Sequence, residues 1–297
     1  MRVNPNMLPD VLAAIGRTQE AQSVALQEMS TGKRVNLPSD DPAAAAALVQ
    51  NHTRSDAVDQ YTQNGNTILQ MMQTADSALS SVVSEVNQAI SLGVEGANGT
   101  LSNTDRQALA QQVSGTLANV VSQANLSYAG VYVFGGTATT TVPFTANPSS
   151  PSGYQYNGNS NVNSVAIGDG VEVQVNIPGD RLFQGQGADL LGSLQQLVTA
   201  LQGGSTSVIG TATTQLRAAL DYLSQERVFY GNAVAQVNAQ ETFLQNETVN
   251  IKSQENSLVA VDMTTVATDF SQAQAASQAT LAAAARVLQE TLLDYLR

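Results

Sequence analysis

The chain of 297 residues contains no Cys, no Trp and one His, His52, which excludes thiol nucleophiles, disulfides, thiolate zinc sites and multi-histidine metal sites. Its net charge of -12, with two Lys (Lys33, Lys252) and ten scattered Arg, provides no basic stripe for a phosphate backbone, so nucleic acid is not an expected partner. Only 12% of residues are charged, against roughly 25% in ordinary soluble domains, and a surface kept polar by Gln, Ser, Thr and Asn packs against copies of itself with little ionic desolvation, as suits a polymer subunit.

Near the N-terminus, Asn4, Pro5, Asn6, Pro9 and Asp10 interrupt any apolar run, so no Sec-type secretory signal is expected. The longest apolar run, Ala43 to Val49, is mostly alanine and far short of the roughly 20 residues that span a bilayer, so membrane insertion is not expected. Leu8, Leu12, Ile15, Gln19, Gln22, Leu26 and Met29 alternate spacings of four and three, the seam of a coiled coil. Gly32 then supplies a C-cap, with Lys33 and Arg34 complementing the negative helix end. Asn36 to Asp41 form a polar turn. Asp41 before Pro42 is a start signal for a long helix running toward Gly93. Leu69, Met72, Leu79, Val83, Val86 and Ile90 form one stripe of that helix, whereas Arg54 to Asn66 is polar all round and needs a neighbour.

Ser102 with Asp105 reads as a capping box for a third helix ending near Tyr128, with Leu109, Val113, Leu117, Val120 and Ala124 inward. From Val131 to Gly187 the period switches to two, with turn signals at Asn147-Pro148 and Asn157-Gly158 and a hairpin turn at Asp169-Gly170. Helical spacing returns over Gln186 to Leu201 and Thr206 to Val259, with Leu216, Leu220, Leu223, Val234, Val237, Phe243 and Leu244 as core. A last helix over Val261 to Leu296 carries a second seam: Met263, Val266, Phe270, Ala273, Ser277, Leu281, Ala284, Leu288, Leu292 and Tyr295.

The expected fold is therefore mainly α with a small inserted β domain. The N- and C-terminal helices pair as an antiparallel coiled coil, a helical bundle comes next and the β domain forms the tip. In residue numbers, 1–45 with 256–297 form the terminal coiled coil, 46–128 with 188–255 the bundle and 129–187 the β insertion. Weak seams bury little area and helix nucleation is unfavourable, so the terminal helices are expected to order fully when neighbouring copies cover them.

Other motifs are weak. His52, alone on a polar helix, reads as solvated or interfacial, and with a single His the chain has no His-Glu-x-x-His motif. Gly185 to Gly192 departs from dinucleotide-loop spacing, and Lys33 lacks the upstream Gly of a P-loop. The sequons at Asn98, Asn125 and Asn246 arise readily by chance in an Asn/Ser/Thr-rich chain. No carboxylate pair sits beside a base or oxyanion motif, so no catalytic site and no cofactor are expected.

The string Met29-Ser-Thr-Gly-Lys-Arg-Val-Asn-Leu-Pro-Ser-Asp-Asp-Pro42 resembles the N-terminal signature of flagellins and their hook-associated junction relatives. Its Thr-Gly-Lys-Arg-Val and Asp-Asp-Pro versions, and the absence of the C-terminal Ala-Gln-Ala-Asn pattern of flagellins, resemble the hook-filament junction branch. Gly130 to Gly136 with Pro143-Phe144, Val175 to Gly179 before Leu182-Phe183, and Leu292 to Arg297 extend the match over nearly the whole chain. The resemblance implies a structural subunit exported through the flagellar type III apparatus with the help of a cytoplasmic export chaperone. It implies a ring of copies between hook-associated protein one and flagellin, with terminal helices lining the central channel. Expected assembly residues are Leu8, Leu12, Ile15, Leu26 and Met29 on the first helix, and Gly32, Lys33, Arg34, Asp40, Asp41 and Pro42 in the turn. On the last helix they are Met263, Val266, Phe270, Leu281, Leu288, Leu292, Tyr295 and Leu296. Two other functions stay open at this level: a flagellin filament subunit, and a soluble helical binding module or adhesin with a β tip.

Overall fold

The computed structural model describes residues 8–185 and 188–295, with side chains over 9–185 and 188–286. In chain order it contains α1 (Leu8–Thr31), α2 (Pro42–Gly96), α3 (Asn103–Ala124), β1 (Ser127–Tyr128), β2 (Val131–Tyr132), β3 (Phe144–Ala146), β4 (Tyr154–Tyr156), β5 (Ser164–Gly168) and β6 (Val171–Gln174). Then follow α4 (Gly179–Phe183), β7 (Gln184–Gly185), β8 (Ala188–Asp189), α5 (Leu190–Gly203), α6 (Thr206–Val259) and α7 (Met263–Tyr295). The chain forms two compact units, one from Met1–Ala57 with Glu247–Arg297 and one from Val58–Asn246, and α2 and α6 contribute residues to both. The expected class holds: long terminal helices, with a small β region in the middle of the sequence.

The larger unit has the main core. Ser102 caps α3 as expected: its hydroxyl accepts from the Asp105 N–H at 3.2 Å, while the Asp105 carboxylate accepts from the Ser102 N–H at 3.3 Å. Leu109, Val113, Leu117, Val120 and Ala124 are all buried, and α3 packs against α5. Asp189 caps α5 through the Gly192 N–H at 2.8 Å, and Gly204, at φ +73°, ends it in the left-handed conformation. Met72, Leu79, Val82 and Val86 of α2 join Leu216, Leu223, Tyr230 and Val237 of α6 in the same core. A bidentate pair, Arg227 Nε and Nη2 to Asp76 at 2.5 and 2.9 Å, ties the two helices at the surface. One expected core residue is misplaced: Leu244 is buried but Phe243 is 58% exposed. Adjacent helical positions lie about 100° apart, so a single inward stripe takes one of the pair and turns the other out.

The β region is four antiparallel two-stranded hairpins rather than one sheet. α3 stops at Ala124, short of the expected Tyr128, because Asn125 turns its side chain onto β3. Its amide donates to the Phe144 carbonyl at 2.8 Å and its oxygen accepts from the Phe144 N–H at 2.7 Å. β1 and β2 are joined by Ala129-Gly130, both at positive φ (49° and 83°), which matches the strand twist. The expected Asp169-Gly170 hairpin joins β5 and β6. In place of a sheet core, Phe134, Phe144 and Phe183 meet edge to face, with centroids 5.5 and 5.6 Å apart.

The Gly130–Gly136 and Val175–Gly179 strings, distant in sequence, meet through one main-chain and one side-chain hydrogen bond. The Gly179 N–H donates to the Phe134 carbonyl at 2.8 Å, and the Asn176 amide donates to the Gly136 carbonyl at 3.2 Å. A Cβ on Gly179 would lie 2.8 Å from that Phe134 oxygen. The Tyr156 hydroxyl donates to the same Phe134 carbonyl at 2.9 Å. Burial, aided by the nearby Asp180 charge and opposed by the Gly179 N–H, pushes the Tyr156 phenol up to about 12, so it stays a donor. Three substitutions check this packing by thermal or urea unfolding. Leu197→Ala should destabilise by about 2 to 5 kcal/mol through cavity formation, while Val208→Ala, at an exposed position, should change stability by less than about 0.5 kcal/mol. Gly179→Ala, which forces the two strings apart, should destabilise by about 1 to 3 kcal/mol.

Candidate assembly interface

Within the terminal unit, α1 and α7 pack together, and the ends of the two helices show how. Gly32, at φ +68°, closes α1 by donating its N–H to the Glu28 carbonyl at 2.8 Å. The chain then forms a short antiparallel contact with the loop before α7: Lys33 bridges Ala260, the Arg34 N–H donates to the Val259 carbonyl at 2.7 Å, and the Val261 N–H donates to the Gly32 carbonyl at 3.3 Å. The end of α1 therefore meets the start of α7, and the helices run antiparallel.

The paired faces mix small and polar side chains with a few larger apolar ones. On α1, Ala25 is buried and Val11, Ile15, Thr18, Gln22 and Met29 are half-buried. On α7, Val266, Ser277 and Ala284 are buried, with Phe270, Ala273 and Thr280 half-buried. The seam expected through Leu12, Gln19 and Leu26 is therefore divided: Ile15, Gln22 and Met29 face the partner helix, while Leu12 and Leu26 are 62% and 55% exposed. On α7, Leu281 and Met263 are 49% and 48% exposed, and Thr280 takes the place expected for Leu281. Apolar residues thus lie on two adjacent stripes of each helix, about one residue apart around it: one, with Ile15, Met29, Val266 and Phe270, is turned inward, and the other, with Leu12, Leu26 and Leu281, is exposed. The side chains of Leu8, Leu288, Leu292 and Tyr295, and all of Leu296, lie outside the described residues.

The charged side chains of the turn take different partners. Arg34 Nη2 donates to Asp41 at 3.1 Å and to the Leu258 carbonyl at 3.1 Å, so one side chain joins the turn to α2 and to the end of α6. Asp40 instead accepts the N–H groups of Asn36 and Leu37 at 3.0 and 2.8 Å, and the Asn36 amide donates to the Lys33 carbonyl at 2.7 Å. Asp41 caps α2 by accepting the Ala44 N–H at 3.0 Å, with Pro42 in the first helical position. Beneath the turn, Val35, Ala44 and Val259 are buried with Leu48 and Leu258 packed on them. Beside it, Leu37, Pro38, Ala45 and Val49 line an apolar groove of about 480 Å³ that reaches His52. His52 Nδ1 stands 3.8 Å from the Glu255 carboxylate, and Arg54 pairs with Glu247 at 2.5 Å, so α6 is the neighbour that the polar start of α2 requires. These two Glu partners were not singled out from the sequence, where nothing but opposite charge on a distant helix marks them.

Among the described residues, eight of the fourteen exposed large apolar side chains fall in the terminal unit: Leu12, Val24, Leu26, Leu37, Val49, Val249, Met263 and Leu281. That unit holds 108 of the 297 positions, 57 from its first segment and 51 from its second. Such a concentration of exposed apolar surface makes this unit the candidate interaction surface. No helix among the described residues is long and apolar enough to cross a membrane, and no group of three His, Cys, Asp or Glu there could hold a metal ion.

Known proteins share these terminal segments and much of the adjoining helices with this chain. The model of the bacterial flagellin N-terminal helical region matches residues 4–139, and that of the bacterial flagellin C-terminal helical region matches residues 208–296. The chain belongs to the flagellin-like family. The family is one of structural flagellar proteins. Among curated family members, flagellar hook-associated protein 3 of Salmonella typhimurium is 26% identical over 94% of this chain and 94% of its own length. Its Escherichia coli counterpart is 38% identical over 40% of this chain and 38% of its own length. The flagellin of Listeria monocytogenes is 32% identical over 36% of this chain and 38% of its own length. Among solved structures, a flagellar hook-associated protein from Vibrio parahaemolyticus superposes with a TM-score of 0.68 at 20% identity, over 74% of this chain and 100% of that one. The flagellar junction protein FlgL from Legionella pneumophila does so at 0.61 and 15%, over 72% and 100%. At these identities the agreement is one of fold.

The caps of this interface titrate. The Ala44 N–H first, and then Arg34, hold the Asp41 carboxyl below its ordinary 3.8, and the N–H groups of Thr264 and Thr265 do the same for Asp262 at the start of α7. A depressed carboxylate contributes stability that is present above about pH 3.8 and is lost as pH falls through the lower folded value. Protection of the Ala44 and Thr264 amides from hydrogen exchange, taken relative to their intrinsic rates, should therefore fall on acidification below that pH. Asp41→Asn, which keeps a capping oxygen without a titrating charge, should flatten the response at Ala44 alone.

Proposed function

We propose that this chain is a structural subunit of the flagellar hook-filament junction, without a catalytic role, and that it polymerises through its terminal helices. The observation that carries the reading is the division of apolar residues in the terminal unit. One stripe joins α1 to α7, and a second, holding Leu12, Leu26 and Leu281, is exposed in the single chain. Covering a Leu fully contributes about 1.5 to 3 kcal/mol, repeated in every copy of a ring. Placement at the junction rests on the extent of alignment: hook-associated protein 3 of Salmonella typhimurium matches across nearly the whole chain, whereas the Listeria monocytogenes flagellin matches over little more than a third.

On this reading the neighbours are copies of the chain itself, hook-associated protein one on the hook side and flagellin on the filament side. Residues 1–45 and 256–297 line the central channel, 46–128 with 188–255 form the helical bundle, and 129–187 is the insertion. Export through the type III apparatus with a cytoplasmic chaperone on the C-terminal helix suits a chain with no Cys to cross-link it and seams too poor in large apolar residues to hold strongly alone.

A strain lacking the chain should release flagellin into the medium and build no filaments; short or sparse filaments still attached to hooks would instead indicate a filament subunit. Leu12→Asp with Leu281→Asp should leave the monomer's melting temperature nearly unchanged, since both positions are exposed. The same pair should abolish swimming in a complementation assay.

A further inference from the structure

Three Asn-Gly pairs occur in the chain: Asn64-Gly65, Asn98-Gly99 and Asn157-Gly158. In such a pair the glycine nitrogen, unhindered by a side chain, can attack the amide carbon of the asparagine. An N–Cγ bond forms, ammonia leaves and a succinimide ring results; water then opens one of the two ring C–N bonds. Reaction depends on holding nucleophile and carbonyl free and aligned, so the fold selects among the three. Asn64 and Gly65 lie inside α2, where the Gly65 N–H belongs to the helix ladder, and the Asn64 amide donates to the Ala166 carbonyl at 2.9 Å. Asn157 is half-buried, its amide donating to Thr145 Oγ1 at 2.8 Å, with Gly158 against the Tyr156 ring.

Asn98 and Gly99 are exposed in the turn between α2 and α3. The Thr100 N–H and hydroxyl both donate to Asn98 Oδ1, at 3.2 and 3.0 Å. Two donors on that oxygen stabilise the charge that grows there as nitrogen attacks. Nothing lies within 4 Å of where a Cβ on Gly99 would stand, and the Gly99 N–H has no backbone acceptor among the described residues.

The product also has a place prepared for it. Arg106 is 6% exposed, and its guanidinium donates to three neutral oxygens: Gly96 O at 3.1 Å, Asn98 O at 3.0 Å and Asn103 Oδ1 at 3.4 Å. It forms no ion pair among the described residues. A buried cation held by neutral acceptors alone lacks a countercharge. We propose that Asn98-Gly99 is a self-modification site whose isoaspartate product supplies a carboxylate to the buried Arg106. Opening the ring between the Asn98 main-chain carbonyl carbon and the Gly99 nitrogen reroutes the chain through Cγ and frees the former main-chain carbonyl as a carboxylate. That carboxylate carries the oxygen to which Arg106 already donates. The sum is asparagine plus water giving isoaspartate plus ammonia, and Arg106 both polarises the carbonyl that water attacks and pairs with the charge released.

The test is incubation of the purified full chain at neutral pH, followed by peptide mass spectrometry and enzymatic isoaspartate methylation, with the same chain in denaturant as reference. In the folded protein Asn98 should react about tenfold or more faster than Asn64 and Asn157, and should give a larger isoaspartate fraction than the denatured chain. Thr100→Val should slow the reaction and Gly99→Ala should nearly stop it. Arg106→Lys, shown to be folded by circular dichroism, should return the isoaspartate fraction to the denatured value. Slower loss of the amide at Asn98 in the folded than in the denatured chain would overturn the proposal, as would equal isoaspartate fractions in the two. Both comparisons use the unsubstituted protein and so do not depend on any variant folding.

Discussion

The terminal unit depends on one short join, where residues Gly32 to Arg34 lie antiparallel to Val259 to Val261. Helices with seams as poor in large apolar groups as α1 and α7 bury little area per turn and are marginal alone. The join sets where they meet, because it stops one helix and positions the start of the other in the same few hydrogen bonds. Arg34 extends it by holding the α2 cap and the last turn of α6 with one guanidinium. A signature that reads in sequence as a turn between two helices is, in space, the place where both ends of the chain are fastened.

The pairing has a second effect. It leaves Leu12, Leu26, Met263 and Leu281 of the same helices exposed, in a protein with few charges to oppose contact between copies. Internal pairing and assembly therefore draw on adjacent stripes of the same two helices. Strengthening the internal seam with bigger side chains would alter helix separation and so shift the outer stripe, which gives a physical reason for the seam to stay weak.

Much of this was legible in the sequence wherever a local rule acts alone. Asp41-Pro42, the Ser102 and Asp105 pair, Gly32 and the Asp169-Gly170 turn each specify a cap or hairpin through atoms a few residues apart, and each is found in its place. The inward residues of α3 followed from periodicity. What escaped was set by partners distant in the chain. Two apolar stripes one residue apart on α1 look alike until α7 chooses between them, and Phe243 beside Leu244 poses the same ambiguity on α6. The partners of His52 and Arg54 lie about two hundred positions away on α6. The hairpins fail to merge into one sheet because aromatic rings and side-chain amides, rather than strand ladders, fill the space between them. Arg106, which nothing in the sequence singles out, is buried against the turn before its own helix.

The clasp between Phe134 and Gly179 has an implication for how such a chain can diversify. A main-chain bond from Gly179 to Phe134 and a side-chain bond from Asn176 to the Gly136 carbonyl hold the entrance and exit of the inserted hairpins together, and Tyr156 of the insertion reaches back to the same Phe134 carbonyl. The span from 137 to 174 thus behaves as a cassette plugged into a fixed socket. Its outer face is free to drift in length and chemistry, and to present a new appearance to surroundings or hosts, while the helical frame that receives it is left unaltered.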